Sequence, residues 1–154
     1  MKRQYLNTIC FLFLIVSFCC NGQYSQSSSE QKTLIDIQKS HIDDNVANQA
    51  QFDSLMKRDL EKYFSATFGP VSVKWEFLRN GATQSGVAYP KYYLWTKIYN
   101  GDKLLNEGAV RVAAIEKTGF GITDFVNIND IRKKSKDIYK IFPKTICDKI
   151  LSYL

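Results

Sequence analysis

The sequence predicts an α+β fold: a long N-terminal helix packed on a four-stranded antiparallel meander sheet, followed by C-terminal helices. Three observations predict it. From about Gln49 to Phe68 apolar residues recur at spacings of three and four. From Val71 to Val126 the pattern changes to short alternating runs separated by turn residues. After Asn127 apolar residues return at helical spacings, interrupted at Pro143.

The helix carries Phe52, Leu55, Met56, Leu60, Tyr63, Phe64 and Phe68 on one stripe, with Asp53, Lys57, Arg58, Glu61 and Lys62 on the other side. Asn48 can cap its start with Gln51 three residues on, and Gly69-Pro70 stops it. Val71, Val73, Trp75 and Phe77 then alternate with Ser72, Lys74 and Glu76, which puts the four apolar residues on one face of a first strand. Asn80 to Gly86 reads as a loop. Lys91 to Tyr99 is an aromatic and β-branched second strand entered through Pro90. Asn100-Gly101 predicts a two-residue type I′ hairpin turn. Leu104 to Glu116 returns as a third strand in which Gly108 marks a bulge or bend. Lys117-Thr118-Gly119 turns the chain into a fourth strand, Phe120 to Val126. Short connections make the sheet an antiparallel meander. Asn127 or Asn129 can cap the last helical region, and Pro143 starts a new helix within it. Cys147 shares a stripe with Ile146, Ile150 and Leu151 and reads as a small buried hydrophobe.

Ahead of this domain, placed at 48–154, lie two segments of other character. Residues 1–22 read as an export signal. Lys2 and Arg3 give a basic start, Ile9 to Cys20 is uncharged and nearly all apolar, and Asn21-Gly22-Gln23 returns to polar. The apolar run is shorter than the roughly 20 residues a membrane-spanning helix needs. Cleavage after Gly22 releases a chain starting at Gln23; alternatively Cys19 or Cys20 becomes the lipid-bearing end of a lipoprotein. The expected address is therefore the periplasm or the exterior, with lipid anchoring in the outer envelope as the alternative. Residues 23–47 read as a polar tether: Gln23 to Lys32 is Ser/Gln-rich and expected to have no fixed structure, while Thr33 to Ser40 can form a short helix.

In 154 residues the chain has 45% hydrophobic and 23% charged residues with 8 Gly and 3 Pro, which excludes collagen-like and low-complexity classes. With Cys10, Cys19 and Cys20 in the signal or at its edge, Cys147 is the only thiol of the domain. An internal disulfide or multi-thiolate metal site is therefore excluded there. From Gln23 to Asn129 acidic and basic residues balance. The positive excess sits at the end, where Arg132, Lys133, Lys134, Lys136, Lys140, Lys144 and Lys149 face only Asp130, Asp137 and Asp148. Such a segment suits a solvated helix face, an acidic partner or an anionic membrane surface.

In element order Gln49 to Val126 resembles the cystatin-like and nuclear-transport-factor-2-like α+β folds, and Phe120-Gly121-Ile122-Thr123-Asp124-Phe125 is similar in style to the closing strand of the latter. The resemblance implies a helix laid on a curved sheet. It carries no functional residue, since the Gln-x-Val-x-Gly of cystatin inhibitors is missing.

Chemistry-bearing motifs are sparse. His41 is the only histidine and sits in a polar stretch, so it reads as solvated, and no metal or cofactor is implied. No P-loop, G-x-S-x-G, G-x-G-x-x-G or H-E-x-x-H occurs. Asp124, alternating with Ile122 and Val126, is the one candidate for a carboxylate in a sheet cavity, with Tyr92 or Tyr93 as a hydroxyl donor; the alternative is an Asp facing water or capping a turn. Tyr93, Trp95, Lys97 and Tyr99 share one strand face, either covered by the C-terminal helices or open as a binding patch. Three functions follow as expectations: an exported non-catalytic module for a protein or peptide partner; a ligand-binding or enzymatic sheet cavity; or an envelope-associated accessory lipoprotein. Export and the lack of an interleaved stacking platform leave no expectation of a nucleic-acid partner.

Overall fold

The computed structural model describes residues 24–85 and 88–154, so residues 1–22, expected as an export signal, and with them Cys19 and Cys20, lie outside the described residues. The chain divides into two units, Met1–Ile37 and Gln38–Leu154. Helix α1 (Tyr24–Asn45) starts in the first, where Leu34, Ile35 and Ile37 are exposed. The tether expected to lack fixed structure is thus helical from Tyr24 to Asn45, well beyond the short helix at Thr33 to Ser40. No Gly or Pro interrupts this stretch, and Ser and Gln cost only tenths of a kcal/mol per helical residue, so a helix once nucleated runs through it.

The second unit is a helix on a four-stranded sheet. Helix α2 (Gln49–Phe68) has the expected bounds, and Asn48 accepts a hydrogen bond from the Gln51 amide at 3.1 Å as its N-cap. The strands β1 (Ser72–Phe77), β2 (Lys91–Asn100), β3 (Lys103–Ile115) and β4 (Gly119–Asn127) pair in sequence order, all antiparallel. Met56, Leu60 and Phe64 of α2 pack on Val73, Tyr92, Leu94, Ile98, Val110, Val112 and Phe120. Within this layer Phe52 meets the edges of Tyr92 and Phe120 at 5.1 and 4.9 Å, and Phe64 meets Phe125 at 4.9 Å.

The other face of the sheet is closed by the C-terminal pieces: α3 (Ile128–Arg132), a 3-10 turn (Ile138–Lys140) and α4 (Lys144–Leu151). Asn127 caps α3 and Pro143 precedes α4, as their residue types allow. Ile131, Ile138, Phe142, Ile146, Cys147 and Ile150 pack there on Tyr93, Trp95, Ala109 and Val126. Each face of the sheet therefore has its own apolar layer, and β2 supplies both.

Three local details depart from the sequence reading. The β2–β3 loop is Gly101-Asp102, one residue later than expected, and only Gly101 has positive φ (58°). Positive φ at the first loop residue alone is the requirement of a II′ turn, which Gly meets without steric cost. Gly108 is not a bulge; it is a point of close approach, where a Cβ would collide with the Val126 carbonyl oxygen. The bulges fall at Ile98/Tyr99 and at Arg111/Val112. At the second, Arg111 opposes Asp124 while Val112 opposes Ile122, so Thr123 is the extra residue. One inserted residue reverses the alternation. Ile122 consequently joins the α2 layer, and Asp124 shares its face with Val126 but not with Ile122.

The β3–β4 turn has left-handed Glu116 (φ 46°) and Lys117 (φ 60°), a conformation costing non-Gly residues of order 1 kcal/mol. Buried Asn45 holds it: its side-chain oxygen accepts from the Glu116 amide at 3.3 Å and its carbonyl from the Lys117 amide at 2.8 Å.

Candidate functional site

The residues singled out from the sequence do not assemble into one site. Tyr93 and Trp95 are buried, not an open patch: Tyr93 meets Phe142 edge-on at 6.2 Å, and Trp95 stacks on Tyr153 at 4.5 Å with the rings 10° from parallel. Their polar atoms are also engaged. Thr83 donates to the Tyr93 hydroxyl at 3.1 Å, and the Trp95 indole donates to Glu107 at 3.4 Å. Only the strand end reaches solvent, where Lys97 pairs with Glu107 at 4.0 Å and Lys74 lies over the Tyr99 ring at 5.3 Å. The C-terminal helices have taken this face because their own stripe needs an apolar surface to bury against.

Asp124 is likewise spent on structure. Its carboxylate accepts from Arg111 Nε at 2.7 Å, and the same guanidinium donates to the Ile141 carbonyl (2.8 Å) and the Thr123 hydroxyl (3.0 Å). Arg111 thereby ties β3, β4 and the C-terminal segment together. A carboxylate held this way is an acceptor already in use, unlike the free acid or base that cavity chemistry needs. Tyr92 packs in the α2 layer, where burial pushes its hydroxyl pKa up.

Cys147 is fully buried, as its stripe position implies, and its thiol lies 3.4 Å from the Phe142 carbonyl and 3.5 Å from that of Ile138. Burial, and then the charges of Asp148 and Asp137, push the thiol pKa up, which keeps it protonated and poorly nucleophilic. His41 is half-buried rather than solvated, with its Nδ1 2.9 Å from the Asn45 amide nitrogen. Among the described residues, no three His, Cys, Asp or Glu side chains converge as a metal would require. No helix among them is long and apolar enough to cross a membrane.

A further surface feature lies at the C-terminal end of the chain. A depression of about 430 Å³ is floored by Ile131, Ile138, Leu151 and Leu154 and rimmed by Arg132, Lys134, Lys136 and Tyr139. Tyr139, Leu151 and Leu154 are exposed large hydrophobics, left over after the C-terminal layer has been packed. Asp130 builds the rim. Its carboxylate accepts from Asn127 at 2.7 Å and from the Ser135 hydroxyl at 3.0 Å, and it lies 3.9 Å from the Lys136 ammonium. Between these anchors Lys134 holds a left-handed backbone (φ 53°). Asp137, the one acidic residue of the lining, caps the 3-10 turn through the Tyr139 amide at 3.1 Å and pairs with Lys140 at 3.9 Å.

No protein-family model, curated protein or solved structure matches the chain. The site is therefore argued from its own residues. Its basic half is visible in the sequence as the lysine-rich end. Its apolar half is not, because Leu151 and Leu154 continue the spacing of Cys147 and read as core. Helix α4 ends at Leu151, and the stripe runs past the surface it was covering.

Proposed function

We propose that the chain is an exported interaction protein that works by surface contact with a protein or peptide partner and not by catalysis. One observation carries this reading: the candidate reactive groups Asp124, Cys147 and His41 are consumed by the fold, while three of the exposed large hydrophobics gather beside basic side chains at one depression. Asp124 serves Arg111, Cys147 is sealed in the core, and His41 serves Asn45. Tyr139, Leu151 and Leu154 stay outside beside Lys134 and Lys136. The basic, then apolar, then polar order of residues 1–22 supports export. An envelope-associated form of the same reading keeps the chain on lipid through Cys19 or Cys20. The resemblance in element order to the cystatin-like and nuclear-transport-factor-2-like folds adds no residue to it.

The test is mass analysis of the chain from fractionated cells, together with cross-linking in intact cells. The expected result is a mature chain beginning at Gln23, or at a lipid-bearing Cys19 or Cys20, cross-linked repeatedly to the same envelope protein. A chain retaining Met1 in the cytoplasm would overturn the reading. So would turnover of a small substrate that Asp124→Asn abolishes.

A further inference from the structure

The depression at the C-terminal end has a shape and a charge that together select an occupant. Its floor is aliphatic, from Ile131, Ile138, Leu151 and Leu154, and its rim carries the cations Arg132, Lys134 and Lys136. Of the acidic groups beside it, Asp137 is turned to the 3-10 turn and to Lys140, and Asp130 accepts from Asn127 and Ser135 and lies 3.9 Å from Lys136, so the rim keeps a net positive charge. A ligand that fits must therefore bring an apolar group to the floor and negative charge to the rim. The feature is concave. A flat lipid surface would touch the rim lysines and leave the depression empty, whereas a side chain projecting from a peptide can enter it. The left-handed backbone at Lys134 shapes the rim loop, which Asp130 and its partners hold.

We infer that this depression binds a short acidic peptide segment of a partner protein, one Leu, Ile or Phe side chain entering the floor and flanking Asp or Glu residues meeting Arg132, Lys134 and Lys136. The inference rests on the interaction reading above and gives it a site and a partner chemistry. Anchoring by one apolar side chain in a pocket, with charge complementarity at the edge, is the usual anatomy of such contacts.

The test is fluorescence anisotropy with the purified chain and a labelled peptide of the pattern Glu-Glu-Leu-Phe-Glu-Asp. Saturable binding is expected, weakened on the order of 10-fold by raising salt from about 50 to 300 mM, because rim charges are screened. Lys134→Glu should weaken binding about 10-fold, because it replaces an attraction by a repulsion, and Lys136→Gln, which sets no second carboxylate beside Asp130, should weaken it less. Leu154→Ser, at an exposed position that should leave folding intact, should match Lys134→Glu through the floor. A peptide with Leu-Phe replaced by Ala-Ala, or with Glu and Asp replaced by Lys, should not compete. Circular dichroism of each variant separates lost binding from lost folding. The inference is overturned by absence of saturable binding, by binding indifferent to Lys134→Glu and Leu154→Ser, or by binding to phosphatidylglycerol vesicles and not to the peptide. If cells yield a constant cross-linked partner attached through another surface, the groove is refuted while the interaction reading stands.

Discussion

The two faces of the sheet are covered in different ways. On one, a single twenty-residue helix with a side-chain cap buries Met56, Leu60 and Phe64 as one continuous stripe. On the other, a five-residue helix, a 3-10 turn and an eight-residue helix do the same work in three short pieces. Isolated helices below about 12 residues are marginal in water, so α3 and α4 depend on what they pack against, chiefly Trp95, Tyr93 and Val126. Short pieces leave seams, and the apolar-basic depression is the seam between α3, the 3-10 turn and the end of α4. The long helix also leaves a depression of about 430 Å³ against β4, but the charged residues of its lining are one acidic and one basic, Asp59 and Lys62, in place of a cationic rim.

If both layers belong to one cooperative unit, removing the largest side chain from either should lower global stability alike. Trp95→Ala (1% exposed) and Phe64→Ala (1% exposed) should each cost about 3–5 kcal/mol in urea unfolding. Trp75, half-buried at the margin of the α2 layer, should cost less. The comparison breaks if Trp95→Ala frees the amides of Ile146 and Ile150 to exchange while leaving the main unfolding midpoint in place. The C-terminal cover would then be a separately opening layer.

The seam also depends on Arg111, the one side chain that reaches from the sheet to the Ile141 carbonyl. Arg111→Met should cost about 1–3 kcal/mol, because it leaves Asp124 and that carbonyl without their donor. Asp124→Asn should cost less, since an amide oxygen still accepts. Arg111→Lys should recover only part, because one ammonium cannot serve three acceptors spread around a planar guanidinium. Negligible loss in Arg111→Met and in Asp124→Asn alike would mean that the pair contributes nothing beyond its packing.

How far this organisation could be read from the residues follows the same division. The α2 layer is legible because its signals are long and redundant: seven apolar positions at helical spacing, a cap at Asn48, a stop at Gly69-Pro70, and a first strand alternating from Val71 to Phe77. The cover of the other face is legible only in part: Asn127, Pro143 and the Cys147 stripe mark its helices, but covered and open readings of Tyr93 and Trp95 both fit the residues. Periodicity identifies Tyr93 and Trp95 as apolar but cannot say what meets them, and α3 spans too few residues to show a period. Asp124 was displaced by a single unpaired residue, Thr123, which no local pattern announces. The extent of α1 was hidden for the opposite reason, its composition being polar enough to suit a tether as well as a helix. Of the proposed site, the lysines were visible and the exposed leucines were not.

The smallest effects should distinguish how the two covers begin. Asn48 gives α2 a side-chain cap, so Asn48→Ala should cost about 1 kcal/mol. At the head of α4, Pro143 stands in the cap position with no side-chain hydrogen bond, exposed and in extended backbone (φ −58°, ψ 150°) that Ser also adopts. Pro143→Ser would add a cap worth about 0.5–2 kcal/mol, but it would also release the rigidity that proline imposes on the unfolded chain, worth about 0.4–1 kcal/mol. The two terms oppose each other, and the net change should lie between a loss of about 0.5 and a gain of about 1.6 kcal/mol. A loss as large as that of Asn48→Ala would mean that α4 is held in place by the fixed φ of Pro143 more than by its buried stripe.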